Sequence, residues 1–188
     1  MDPIVIAIVL GVLLLAALLY NGLVQARLAV QEGWSAIQVQ LQRRGELIPN
    51  LVETVRGYAS HERATFDAVT RARSQLQTAS TPAAAAEANN MLTGALRSLF
   101  AVAEAYPELK ANQNFLDLQR QLGDTEDKIA YARNFYNSRV LDYNTRIASV
   151  PGVILAGPLG FQRSEFFQGE AEALVPVKVS FAGSGKGN

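Results

Sequence analysis

Apolar positions fall into helical phase over most of this chain, and the longest uninterrupted stretch runs from Asn114 to Val150. Phe115, Leu118, Leu122, Thr125, Ile129, Ala132, Tyr136, Val140, Tyr143 and Ile147 follow one another at gaps of three and four, with no proline among them. That spacing is the seam of a single long helix packed lengthwise against others. At about 1.5 Å per residue the helix is roughly 54 Å long, so it needs partners of similar length to cover its seam.

An earlier stretch supplies one. From Val30 the seam continues through Trp34, Ile37, Leu41, Arg44, Ile48, Leu51, Val55, Tyr58, Glu62, Phe66, Val69, Arg73 and Leu76, alternating four and three with one extra four-residue step at Phe66. Pro49 lies inside it, and its ring presses on the carbonyl four residues back, at Gly45. The expectation is a kink near Gly45–Pro49 that gives either two helices or one bent helix. Thr81 followed by Pro82 reads as an N-cap with proline at the first helical position. The helix it starts carries Ala85, Asn89, Leu92, Leu96, Leu99, Ala103 and Tyr106 inward. Pro107 stops it, and a short connection leads to Asn112 or Asn114 as the cap of the long helix.

Ahead of all this lies Pro3 to Tyr20, eighteen residues without a charge. That is long enough to cross a hydrocarbon core of about 30 Å once Leu23 and Val24 extend it. A cleaved signal peptide would need Lys or Arg before the apolar run, where only Asp2 stands, and a small-x-small site after it. An uncleaved anchor that runs into the first long helix is the better reading. Arg27, Arg43 and Arg44 follow the anchor and none precede it, which favours a cytoplasmic body.

Beyond Val150 the character changes. PGVILAGPLGF holds two prolines and three glycines, so it is read as non-helical, an apolar segment folded over one end of the helices, with dipping into the membrane as the alternative. Val175, Val177, Val179 and Phe181 then alternate with polar residues or proline as a short edge strand. With no second strand in the chain, it either pairs with another molecule or stays an extended tail. The fold class is therefore all-α: a long antiparallel four-helix bundle, up-down, continuous with a transmembrane helix. Residues 1–24 form the anchor, 25–168 the bundle domain and 169–188 the tail.

Composition removes most chemistry. Lys+Arg and Asp+Glu balance at 17 each, so no net field draws the chain to nucleic acid. There is no cysteine, hence no disulfide, thiolate catalysis or cysteine-based metal site. The lone histidine, His61, precedes Glu62, but Thr65 stands where a zinc-protease motif needs its second histidine. The carboxylates Glu104, Glu108, Asp124, Glu126 and Asp127 lack the Glu-x-x-His pairs of a di-metal bundle. GSGKG near the C-terminus has no helix after it to face a phosphate. No cofactor is expected.

Two patterns remain. Arg44, Glu62 and Arg73 occupy seam positions and could meet Glu126 and Arg133 on the long helix. Buried charges persist only when paired, so these five read as a register-fixing network, with a polar ligand site as the alternative. Tyr-Asn occurs at Tyr20-Asn21, Tyr136-Asn137 and Tyr143-Asn144. The first marks the membrane interface. The other two lie on one stripe, the tyrosines filling the seam and the asparagines at its edge, able to bond a neighbouring helix.

YNGLVQAR, LQRRGELIPNLVETVRGYASHE, EAYPELKAN and EDKIAYARNFYNSRVLDYN with IASVPG, taken in this order, resemble the LemA family. The resemblance implies a single-pass bacterial inner-membrane protein with a long helical bundle and no catalytic residues to carry over. Relatives that organise bacterial membranes, magnetosome-associated ones among them, imply a scaffold that self-associates on the bilayer. The alternative is a regulatory or adaptor module for a membrane partner such as a protease or sensor.

Overall fold

The computed structural model of the chain describes residues 2–168. Helix α1, Pro3–Arg56, starts with proline in its first turn, where a missing N–H costs nothing. Side chains up to Gly22 are exposed apart from half-buried Ala16, Leu19 and Gly22, and burial begins at Leu23. The helix continues unbroken for 54 residues, roughly 81 Å.

Pro49 does not divide it: of the two expected outcomes, two helices or one bent helix, the split is excluded and a single helix runs through. The i→i−4 pattern leaves the Gly45 carbonyl without its donor, because Pro49 has no N–H. The Arg73 guanidinium, arriving from the next helix, donates from Nε to that carbonyl at 2.8 Å. The break falls later, at Gly57–Glu62, where the Tyr58 and Ala59 amides both donate to the Val55 carbonyl and the Ala59 side chain is buried. The extra four-residue step at Phe66 is the trace of that break.

Helix α2, Arg63–Thr78, returns antiparallel to α1. Arg56 lies over the Phe66 ring at 5.3 Å, and Arg73 reaches Gly45 further down. Helix α3, Pro82–Glu104, is capped by the Thr81 hydroxyl, which accepts from the Ala84 amide. The connection after it contains a single helical turn, α4, Pro107–Lys110. Helix α5, Gln113–Ala148, starts at Asn112, whose side chain accepts from the Phe115 amide. All ten expected seam positions are the buried residues of α5. It runs antiparallel to α1: Asn112 bonds Tyr58 at the far end, Glu126 pairs with Arg44 midway, and Tyr136 stacks near Trp34 further down.

The helices differ in reach. At about 1.5 Å per residue, α2 spans roughly 24 Å and α3 roughly 35 Å, against roughly 54 Å for α5. The α2–α3 turn ends beside Leu41 and Gly45 of α1, around a cavity also lined by Leu76, Ala79 and Ala85. Beyond it, α1 and the second half of α5 form a two-helix stalk. Its open side is covered by residues 161–168, an extended segment with Phe161 and Phe167 buried at its two ends.

Helix α6, Gly152–Ala156, corrects the reading of the apolar loop as non-helical. Pro151 lies before the turn and Pro158 after Gly157, so Gly152–Ala156 contains no breaker to i→i−4 bonding, and Val153 donates back to the Ser149 carbonyl. The segment does fold over the end of the stalk, packing on α1 and α5 with Ala156 buried and Phe161 edge-on to Tyr20. Gly152 is obligatory there, since a Cβ would collide with the Arg146 carbonyl oxygen.

Candidate functional site

The stalk is held by two identical side-chain brackets on α5. Tyr143 donates its hydroxyl to the Gln162 carbonyl at 2.9 Å, and Asn144 grips Ser164 twice, Nδ2 donating to its carbonyl and Oδ1 accepting from its amide, both at 2.9 Å. Seven residues earlier on α5, Tyr136 donates to the Glu165 carbonyl at 2.7 Å. Asn137 grips Phe167 in the same way, at 3.0 and 2.9 Å. The step matches on both sides. Seven helical residues advance about 10.5 Å, and three extended residues advance about 10 Å. Each asparagine thus acts as a strand neighbour would, without a sheet. The expectation that these amides bond a neighbouring helix is corrected: their partner is the main chain of residues 162–167.

The rings set the depth of the brackets. Tyr136 packs on Gly33 of α1, where an added Cβ would stand 3.1 Å from the Tyr136 Cα. Trp34 lies 6.0 Å from the Tyr136 ring and 6.4 Å from Phe167, closing the site from the α1 side. Burial, and secondarily the nearby Glu165 carboxylate, push the Tyr136 phenol up to about 12. Burial also raises Tyr143, with Arg27 opposing. Both phenols therefore stay protonated donors across the neutral range.

A second polar site lies midway along the body. Arg44 is buried; its Nη1 donates to Asn89 Oδ1 at 2.6 Å and pairs with Glu126, and its Nη2 donates to Thr93 Oγ1 at 3.1 Å. One guanidinium thereby ties α1, α3 and α5 together. Burial lowers its pKa and Glu126 opposes the fall. The five-residue network expected from the sequence separates here. Arg44 and Glu126 meet, whereas Arg73 serves the Gly45 carbonyl. Glu62 is half-buried just ahead of α2 and Arg133 half-buried on α5, and neither forms an ion pair among the described residues. The inward position of Asn89 was legible from α3's seam. Thr93 gave no signal.

The groups gathered at both sites are hydrogen-bond donors and acceptors aimed at main chain or at one another. Among the described residues no three His, Asp or Glu side chains stand close enough to hold a metal ion. His61 is exposed in the α1–α2 turn. The tail positions Val175, Val177, Val179 and Phe181, and GSGKG, lie outside the described residues.

The sequence profile of the LemA family matches residues 33–181, from the glycine beneath Tyr136 through the bracketed segment and beyond. The chain belongs to the LemA family. Magnetosome protein MamQ 2 of Paramagnetospirillum magneticum is 28% identical over 201 residues, covering 92% of this chain and 74% of that protein. MamQ of Magnetospirillum gryphiswaldense is 26% identical over 207 residues, covering 93% and 76%. Protein LemA of Metamycoplasma hominis is 26% identical over 164 residues, covering 85% and 74%. In this LemA-family chain α1 also has, near its N-terminus, a stretch of mean hydropathy 2.8 with none of it buried, long and apolar enough to cross a membrane.

Proposed function

We propose that this protein is a membrane-anchored, non-enzymatic scaffold whose cytoplasmic part is an antiparallel four-helix bundle that self-associates and organises or remodels the bacterial inner membrane. The observation that carries this reading is the continuity of α1. One helix with no break at the anchor's end enters the body, and the brackets on α5 stiffen the stalk that joins them. Such a joint transmits the orientation of each anchor to its body, so bodies that associate side by side impose a geometry on the bilayer. The relatives named as magnetosome proteins support a role at membranes.

A surface for association is open on the stalk. A groove of about 700 Å³ between α1 and α5 is lined by Ala36, Gln40, Tyr131, Ala132 and Phe135 with Asp124, Asp127 and Lys128. Gln40 Oε1 is buried there without a hydrogen-bond partner among the described residues, and a neighbour's N–H would pair with it. The Val175–Phe181 segment is proposed as a subunit contact. An adaptor for a membrane partner is the second reading, favoured by the groove of about 500 Å³ that Arg44 shares with Arg97 and Gln119.

Purifying the full-length chain in detergent and imaging it separates the two. Large regular assemblies are expected; a stable monomer or dimer at micromolar concentration overturns the scaffold. Deleting residues 175–181 is expected to weaken assembly, and unchanged assembly removes the tail from the interface. Protease treatment of spheroplasts should leave the body intact. Cleavage from outside reverses the orientation.

A further inference from the structure

The turn that carries α6 leaves large apolar side chains in the open. Val150 is 79% exposed, Val153 45%, Ile154 66% and Leu159 49%. Four such residues within ten positions form the kind of patch that marks an interaction surface. Their place in the fold decides what covers them. Val150, Pro151 and Gly152 share a shallow cavity with Leu18, Leu19, Gly22 and Leu23 of α1. Eighteen residues from Pro3 to Tyr20 advance about 27 Å, so a hydrocarbon core of about 30 Å ends close to Gly22–Val24. The α6 turn therefore stands at the level where hydrocarbon gives way to headgroups. Its apolar residues continue the exposed apolar face of α1, and Arg27, Arg146 and Arg163 lie at the same end. Arg146 is partly neutralised by Asp142 at 3.0 Å, and Arg27 and Arg163 form no ion pair among the described residues.

We propose that the α6 turn is a second membrane contact, in which Val150, Val153, Ile154 and Leu159 insert into the interface of the bilayer that α1 crosses. The occupant is lipid, with the arginines above it suited to anionic headgroups. A single spanning helix can tilt and rotate freely, whereas an anchor with a second interfacial contact to one side holds one tilt and one rotation. The stalk brackets then carry that fixed orientation to the body. The inference rests on the reading that the apolar part of α1 spans the bilayer.

The absence of cysteine makes the test clean. Full-length Ile154→Cys, Leu14→Cys and Leu116→Cys are each labelled with an environment-sensitive fluorophore and reconstituted in mixed phosphatidylethanolamine–phosphatidylglycerol vesicles. Nitroxide-bearing lipids with the spin label near the headgroup or deep in the chain serve as quenchers. Far-ultraviolet circular dichroism checks that each variant is folded. The expected result is a blue-shifted Ile154 site quenched several-fold more by the shallow label than the Leu116 site at the far end, with Leu14 quenched by the deep label. A water-like, unquenched Ile154 site beside a quenched Leu14 site overturns the α6 contact and leaves the anchor standing. An unquenched Leu14 site overturns the anchor, and the α6 contact with it. A blue-shifted Ile154 site that lipid does not quench, and that reddens on dilution with unlabelled protein, overturns the lipid contact in favour of a second copy.

Discussion

Replacing Asn137 by alanine isolates one bracket. The side chain makes two hydrogen bonds to Phe167, one to its carbonyl and one from its amide. At a net value of about 1 kcal/mol per bond, their loss weakens the hold on Phe167 by about 2 kcal/mol. Phe167 is itself buried, so its freed amide and carbonyl reach water only as the segment peels, and about 2 kcal/mol for the two bonds is the minimum loss. The readout is amide hydrogen exchange. In the unmodified chain the Ser164 and Phe167 amides are held while those of Glu165 and Phe166 make no bond within the described residues, so protection recurs at the third residue in a segment that is neither helix nor sheet. Asn137→Ala is expected to speed exchange at Phe167 by at least about 30-fold, since 1.4 kcal/mol corresponds to a factor of ten. If the brackets act independently Ser164 stays protected; if the segment peels as a unit both amides accelerate together. Random-coil exchange at Phe167 in the unmodified chain, or no change on substitution, refutes the bracket.

Four further outcomes are expected. Glu126→Ala leaves the buried Arg44 cation without a counter-charge and should lower unfolding free energy in urea by about 3 kcal/mol; the paired Arg44→Met/Asn89→Leu change should cost less, because half-exposed Glu126 can return to water and no buried acceptor is stranded. Arg73→Ala removes the donor to the Gly45 carbonyl and should cost about 1–2 kcal/mol, a loss that largely disappears in a Pro49→Ala background, where the residue 49 amide serves that carbonyl instead. Gly33→Ala forces α1 from Tyr136 and should destabilise by about 1–3 kcal/mol, whereas Gly94→Ala on α3, with open space around it, should stabilise by up to about 1 kcal/mol; thermal melts distinguish the signs. The Tyr136 phenol has a higher pKa folded than unfolded, so its contribution to stability is complete below about pH 10 and is lost as pH climbs towards about 12. Tyr136→Phe should remove that part of the alkaline decline in denaturant titrations.

The helices were legible because their information is local and periodic. The three-four spacing from Phe115 to Ile147 specifies the buried face of α5, and Thr81-Pro82 and Asn112 specify where helices begin. What escaped depended on partners distant in sequence. Pro49 reads as a breaker until Arg73 arrives with a donor for the carbonyl it strands. The FQRSEFFQ segment has no helical or strand period, because its backbone is satisfied by side chains on another element rather than by a ladder of its own. The stripe formed by Tyr136-Asn137 and Tyr143-Asn144 was visible, but nothing in its spacing names an extended main chain as the partner. Of the seam charges, Arg44 met Glu126 because antiparallel packing of α1 and α5 brings them level, while Glu62 was displaced by the break at Gly57–Glu62, which comes later than the expected one at Gly45–Pro49.

The unbroken course of α1 makes the anchor and the body a matter of phase. A residue inserted between Leu13 and Leu14, in the wholly exposed part of α1 ahead of its contacts with α5 and α6, would turn the exposed surface before it by about 100° and raise the body by about 1.5 Å. Seven inserted residues would nearly restore the phase while lifting α6 about 10 Å from the membrane contact proposed for it. Length and angle are thus separate dials on this joint. Changes there reset how the body faces its neighbours without altering any residue of the body itself.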